Sequence, residues 1–165
     1  MQQAQGAIDA ARAVGAAQYA SEEFQAAQDA LTHAGEAVAL RDYRLALNHA
    51  LDSRERAQNA AMLAADAKAA ARVDADHALS QITAELVALQ GKLKAAETAR
   101  TPARELAPAR QAVADGEQRL QEARAAFEKA DYAQVVSLGT SATEALTAAT
   151  RALDTATAAP SRRRR

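Results

Sequence analysis

Residues 42 to 100 read DYRLALNHALDSRERAQNAAMLAADAKAAARVDADHALSQITAELVALQGKLKAAETAR, 59 residues from Asp42 to Arg100 with no proline and a single glycine, Gly91. Proline and glycine are the residues that most often stop a helix. Without them the stretch reads as one helix, about 88 Å long at 1.5 Å per residue. Its two halves promise different packing. Leu79, Ile82, Leu86, Leu89, Leu93 and Ala96 form a heptad seam, whereas Ala46, Ala50, Ala57, Ala60, Ala64, Ala67 and Ala71 form a seam of alanine. Each well-buried leucine is worth about 1.5 to 3 kcal/mol, so the leucine half is the expected stable end. The alanine half, with little volume of its own to bury, is expected to self-associate or to accept a partner helix.

Both flanks carry stripes that suit the central helix. On the N-terminal side Phe24, Ala27, Leu31, Ala34 and Val38 advance in steps of three and four, after a weaker stripe at Ile8, Ala11 and Val14. On the C-terminal side Thr101-Pro102 reads as N-cap and first helical residue. A stripe then runs through Leu106, Ala109, Val113, Gly116, Leu120, Ala123 and Phe127, with Pro108 expected to bend its first turns. A last helix offers Val135, Leu138, Ala142, Leu146, Ala149 and Leu153, and Pro160-Ser161 ends it. The expected fold is all-α: an elongated antiparallel hairpin and bundle around one long central helix, about residues 42–100, with coiled-coil-like packing. Residues 1–72 form the N-terminal hairpin half, with residues 1–40 antiparallel to the long helix. Residues 73–159 form a C-terminal three-helix bundle half, and residues 160–165 a disordered basic tail.

Composition points the same way and narrows the function. Alanine supplies 50 of the 165 residues, and aromatics only 3%. Alanine is the best helix former, and the chain is poor in the β-branched and aromatic residues that build sheets. No cysteine is present, which removes disulfides, thiolate metal sites and cysteine nucleophiles. No apolar run of membrane-spanning length occurs, and Met1-Gln2-Gln3-Ala4-Gln5 lacks the basic and apolar regions of a secretory leader. The net charge is -1. The basic excess of the second half comes from Arg162, Arg163, Arg164 and Arg165, so the folded body offers no basic face to a nucleic-acid backbone.

Aligning Asp42-Tyr43 with Asp131-Tyr132, an offset of 89 residues, also matches Leu31 with Leu120, Ala34 with Ala123 and Glu55 with Glu144. The chain therefore carries a weak internal duplication. In each copy an apolar helix leads into an Asp-Tyr step and a second helix. Asp42 and Asp131 are placed to cap, and Tyr43 and Tyr132 to fill the corner with the ring while the hydroxyl stays wet. Through Gly15-Ala16-Ala17-Gln18-Tyr19-Ala20, Phe24, Leu31, Ala34, Asp42-Tyr43, Ala46 and Ala50, residues 7 to about 70 resemble the DUF4398 domain of bacterial envelope proteins. Residues 102–155 resemble it more loosely, through Ala107-Pro108 and Asp131-Tyr132. Ser21 departs from that family's proline, and Arg41 and Ala130 from the glycine before Asp-Tyr, where a left-handed helix cap is easiest. A helix running straight through residue 42 is the competing reading. The resemblance implies a helical protein of a family usually exported or lipid-anchored, often found beside peptidoglycan-binding domains, and with no established enzymatic role.

Candidate reactive groups are scattered. His33, His49 and His77 each lie three or four residues from an aspartate, but a di-metal bundle wants paired Glu-x-x-His motifs with further glutamates. They read as a solvated face, and no metal or cofactor is expected. Glu22, Glu23 and Glu55 sit in helical, charged contexts with no concave site, and no phosphate loop or nucleophile motif occurs. Arg162 to Arg165 are the candidate anion contact, for an anionic envelope surface, and otherwise a solubilising end. The expectation is a non-enzymatic envelope rod or spacer that binds another protein or itself through helical seams. Two other readings stay open: a cytoplasmic adaptor resembling tetratricopeptide hairpins, and an amphipathic coat on a lipid surface.

Overall fold

The computed structural model describes residues 1–158. They form α1 (Gln2–Val14), α2 (Ala16–Tyr19), α3 (Ser21–Ala39), α4 (Tyr43–Thr98), α5 (Ala103–Glu128) and α6 (Tyr132–Ala158), with no strand among the described residues. The all-α class holds, and α4 is the long central helix, 56 residues without a break. Among the described residues no helix is long and apolar enough to cross a membrane. Two compact units, Met1–Ala70 and Ala71 onward, divide α4 between them.

The N-terminal unit is a three-helix bundle. Gly15 ends α1 at φ 98°, a left-handed conformation that costs glycine little because it lacks a Cβ. The chain then reverses through α2 and Ala20. α3 runs antiparallel to α4: the Ser53 hydroxyl donates to the Ala27 carbonyl at 2.8 Å, and Arg56 lies 3.5 Å from Glu23. α1 runs parallel to α4, with Arg54 donating to Gln3 at 3.1 Å and Met1 to Ala4 lying along Leu47, Ala50 and Leu51. Ile8 and Ala11 from α1, Phe24 and Ala27 from α3, and Ala57, Ala60 and Ala64 from α4 share one core. This corrects two expectations. Residues 1–40 are not one antiparallel arm, because the glycine turns α1 back on α3. The alanine seam is not open either: Ala46, Ala50, Ala57, Ala60 and Ala64 are buried by the two helices that fold over it.

The C-terminal unit repeats the pattern with larger side chains. The end of α4 packs with α5 antiparallel, where Arg110 meets Glu97 at 2.8 Å and Gln90 meets Glu117 at 2.9 Å. It packs with α6 parallel, through the Lys92–Asp154 ion pair and the approach of Gly139 to Ala78. Ile82, Leu86, Leu89, Leu106, Leu120, Leu146 and Leu153 are all buried in its core. Pro108 sits inside α5 without ending it. α5 begins at Ala103 with Pro102 as its cap residue and no side-chain cap bond, so Thr101 does not cap it.

The two Asp-Tyr corners are built alike. Arg41 and Ala130 adopt φ 60° and 58°. Asp42 N–H donates to the Ala37 carbonyl and Arg41 N–H to Val38, as Asp131 does to Ala126 and Ala130 to Phe127. These bonds satisfy carbonyls that the preceding helix leaves without partners. The aspartate side chains then accept from the next helix, Asp42 from Leu45 N–H at 2.9 Å and Asp131 from Gln134 N–H at 3.2 Å. A helix straight through residue 42 is thereby ruled out, and the absent glycine is tolerated at a strain cost of about 1 to 2 kcal/mol per left-handed residue.

Candidate functional site

Asp42 and Asp131 do what their spacing promises, and they act within the fold. The two tyrosines part company. Tyr132 is 8% exposed, its ring centroid 5.4 Å from that of Phe127, and both belong to a core that includes Ala71 and Ala75. Arg72 of α4 lies over the Phe127 ring at 5.9 Å. Tyr43 is 67% exposed, so its corner is not filled as the sequence suggested. The surroundings of the two corners differ. In the C-terminal unit α4 passes the corner through residues 71 to 75. In the N-terminal unit α1 begins beside Leu47, Ala50 and Leu51, below the level of Tyr43, and Val38 stands where Phe127 stands in the other copy.

The result is an apolar surface at that end of the N-terminal bundle. Leu47 and Leu51 are 59% and 46% exposed, and Val38 and Leu40 are exposed nearby. Arg44, Leu47, Leu51 and Arg54 follow one another by three, four and three residues, and so share one stripe of α4. Sequence reading missed this surface, because four leucines and a tyrosine between residues 40 and 51 look like core until the packing shows which side of α4 is covered. The duplication held the signal: at the positions of Leu40, Leu45 and Leu51 the second copy has Lys129, Gln134 and Thr140.

His33 and His77 are exposed and His49 is half-buried. His33 and His49 come together across α3 and α4 with ring centroids 5.6 Å apart, a pairing set by the antiparallel register and invisible in either helix alone. Among the described residues no three His, Cys, Asp or Glu side chains group to hold a metal ion. Glu23 and Asp52 both face Arg56, whose guanidinium is raised above its ordinary range by the Asp52 hydrogen bond and charge, with Glu23 adding to them. Glu22 and Glu23 border a shallow groove with Tyr19, Leu63 and Ala67. Arg162 to Arg165 lie outside the described residues. Comparison with family models, with curated proteins and with solved structures finds no match.

Proposed function

We propose that this chain is a non-enzymatic interaction protein of the cell envelope, which works by presenting helical faces to another protein. The observation that carries the reading is the apolar surface of Tyr43, Leu47 and Leu51, all of them exposed, where the matching tyrosine of the other bundle, Tyr132, is buried. Exposed apolar side chains gathered in one patch mark places where proteins meet. The envelope location follows the DUF4398 resemblance of residues 7 to about 70 and has that support alone. Mass spectrometry of the N-terminus of the protein from its own cell, with its membrane or soluble fraction, tests that location. A processed or lipidated end supports the envelope, and an unprocessed Met1 in the soluble fraction replaces it with the cytoplasmic adaptor.

A further inference from the structure

We propose that His33 and His49, which meet across α3 and α4, are the protein ligands of a surface site for a divalent late transition-metal ion, with water in the remaining coordination positions. The site stands apart from the interaction-protein reading, and neither needs the other.

The antiparallel register of α3 and α4 brings the two rings together before any ion arrives. Ser53 donates to the Ala27 carbonyl at 2.8 Å and Arg56 lies 3.5 Å from Glu23, so the two helices are fixed against each other within about two turns of His49. The imidazole centroids then stand 5.6 Å apart, with the rings tilted by 54° and not stacked in parallel. A metal about 2.0 to 2.1 Å from one nitrogen of each ring lies about 3.2 Å from each ring centre, which puts the centres about 4.5 to 6.4 Å apart as the angle at the metal opens from about 90° to about 180°. The observed spacing falls inside that range.

The kind of ion follows from the donors. Gln25 donates to Asp29 at 2.9 Å and Arg56 to Asp52 at 3.0 Å, so the carboxylates one turn from each histidine are held along their own helices. Among the described residues no third His, Cys, Asp or Glu joins the pair. Two imidazoles without a carboxylate suit Cu²⁺, Ni²⁺ and Zn²⁺, with Cu²⁺ the tightest, and do not suit Ca²⁺ or Mg²⁺, which take oxygen ligands. His33 is exposed and His49 half-buried, which leaves the ion a path from solvent. An ion held by both helices binds the folded pair better than the unfolded chain, and so stabilises the bundle whose core is mostly alanine.

The test titrates the full chain with Cu²⁺ by calorimetry, with electron paramagnetic resonance to count the coordinated imidazoles. One ion binds per chain, with nitrogen coupling from two rings, Ni²⁺ and Zn²⁺ bind more weakly, and Ca²⁺ does not bind. His33→Gln and His49→Gln each weaken Cu²⁺ binding at least about tenfold, while His77→Gln, in the C-terminal unit, changes nothing. Cu²⁺ raises the midpoint of the first unfolding transition in the wild-type chain and in His77→Gln, and in neither of the other variants. Circular dichroism establishes that each variant is folded, as glutamine keeps the size and the helix propensity of the position. Equal Cu²⁺ binding in His33→Gln and the wild-type chain, or coupling from a single imidazole, overturns the proposal. Binding that survives both substitutions belongs to His77 or to the N-terminal amine and overturns it as well. Binding that leaves the unfolding midpoint where it was is no better in the folded chain than in the unfolded one, which overturns a site formed by the register of α3 and α4.

Discussion

Replacing Gly139 by alanine puts two well-measured effects in opposition. Gly139 lies in the middle of α6, where alanine gains about 1 kcal/mol of helix propensity. A Cβ built at that position stands 2.7 Å from the Cβ of Ala78 and 3.5 Å from its Cα. Ala78 has no rotamer to change, so relief requires the backbones of α4 and α6 to separate by about an ångström along a packed interface. Such overpacking costs about 1 to 3 kcal/mol. The steric effect offsets the gain or exceeds it, and the net loss is up to about 2 kcal/mol, a fall in melting temperature of up to about 10 °C for a unit of this size. The assay is thermal and urea unfolding followed by circular dichroism, with Ala78→Gly as the second arm of a double-mutant cycle. Ala78→Gly alone loses about 1 kcal/mol of propensity. The double variant regains near wild-type stability, because it removes the clash and exchanges one glycine for another, giving a coupling of about 2 kcal/mol. Gly139→Ala as stabilising as an open-site replacement, or additivity in the cycle, would refute the close approach of the two helices.

Three further perturbations separate the roles of look-alike residues. Gly116→Ala meets only the methyl ends of Leu86 and Leu146, at 2.8 and 2.9 Å. These can rotate away, so its stability stays within about 1 kcal/mol of wild type, while Gly91→Ala, with open space around it, gains about 0.5 to 1 kcal/mol in denaturant unfolding. Tyr132→Ala costs about 3 kcal/mol or more by calorimetry, and Tyr43→Ala stays within about 0.5 kcal/mol, because only the first ring is buried. Arg41→Gly relieves a left-handed residue and raises the stability of the N-terminal unit by about 1 kcal/mol, whereas Asp42→Ala lowers it by about as much through loss of the bond to Leu45. Equal effects at the two tyrosines, or an Asp42→Ala without effect, would refute the corresponding contacts.

The residues that could be read in advance are those whose physics is local. A run without proline between residues 42 and 100 sufficed for α4, because helix continuation depends on near neighbours. Asp42 and Asp131 could be read as caps for the same reason. The direction of α1 could not. Ile8, Ala11 and Val14 give a stripe that suits either face of α4, and the reversal depends on Gly15 adopting φ 98°, one option among several for a glycine. Val14, counted in that stripe, is exposed, and Ala4 takes a buried place instead. The candidate surface was hidden for a related reason. Leu47 and Leu51 are apolar residues at helical spacing, and which side of α4 the packed helices cover decides whether they are core.

The contrast between the two units bears on how a partner would act. The C-terminal core is filled with leucine and isoleucine, while the N-terminal core gathers Ile8 and Phe24 around alanines. Each alanine in place of leucine forgoes roughly 2 kcal/mol of burial, so the N-terminal bundle is the one whose folding has less to spare. Tyr43, Leu47 and Leu51 belong to that bundle, so a helix seated on them meets it. At a concentration of about a hundred times its dissociation constant it would add about 2.7 kcal/mol to folded stability. The linkage appears as a rise in the first unfolding transition with the second unchanged. A ligand that raised both equally, or only the second, would be binding somewhere other than the open corner.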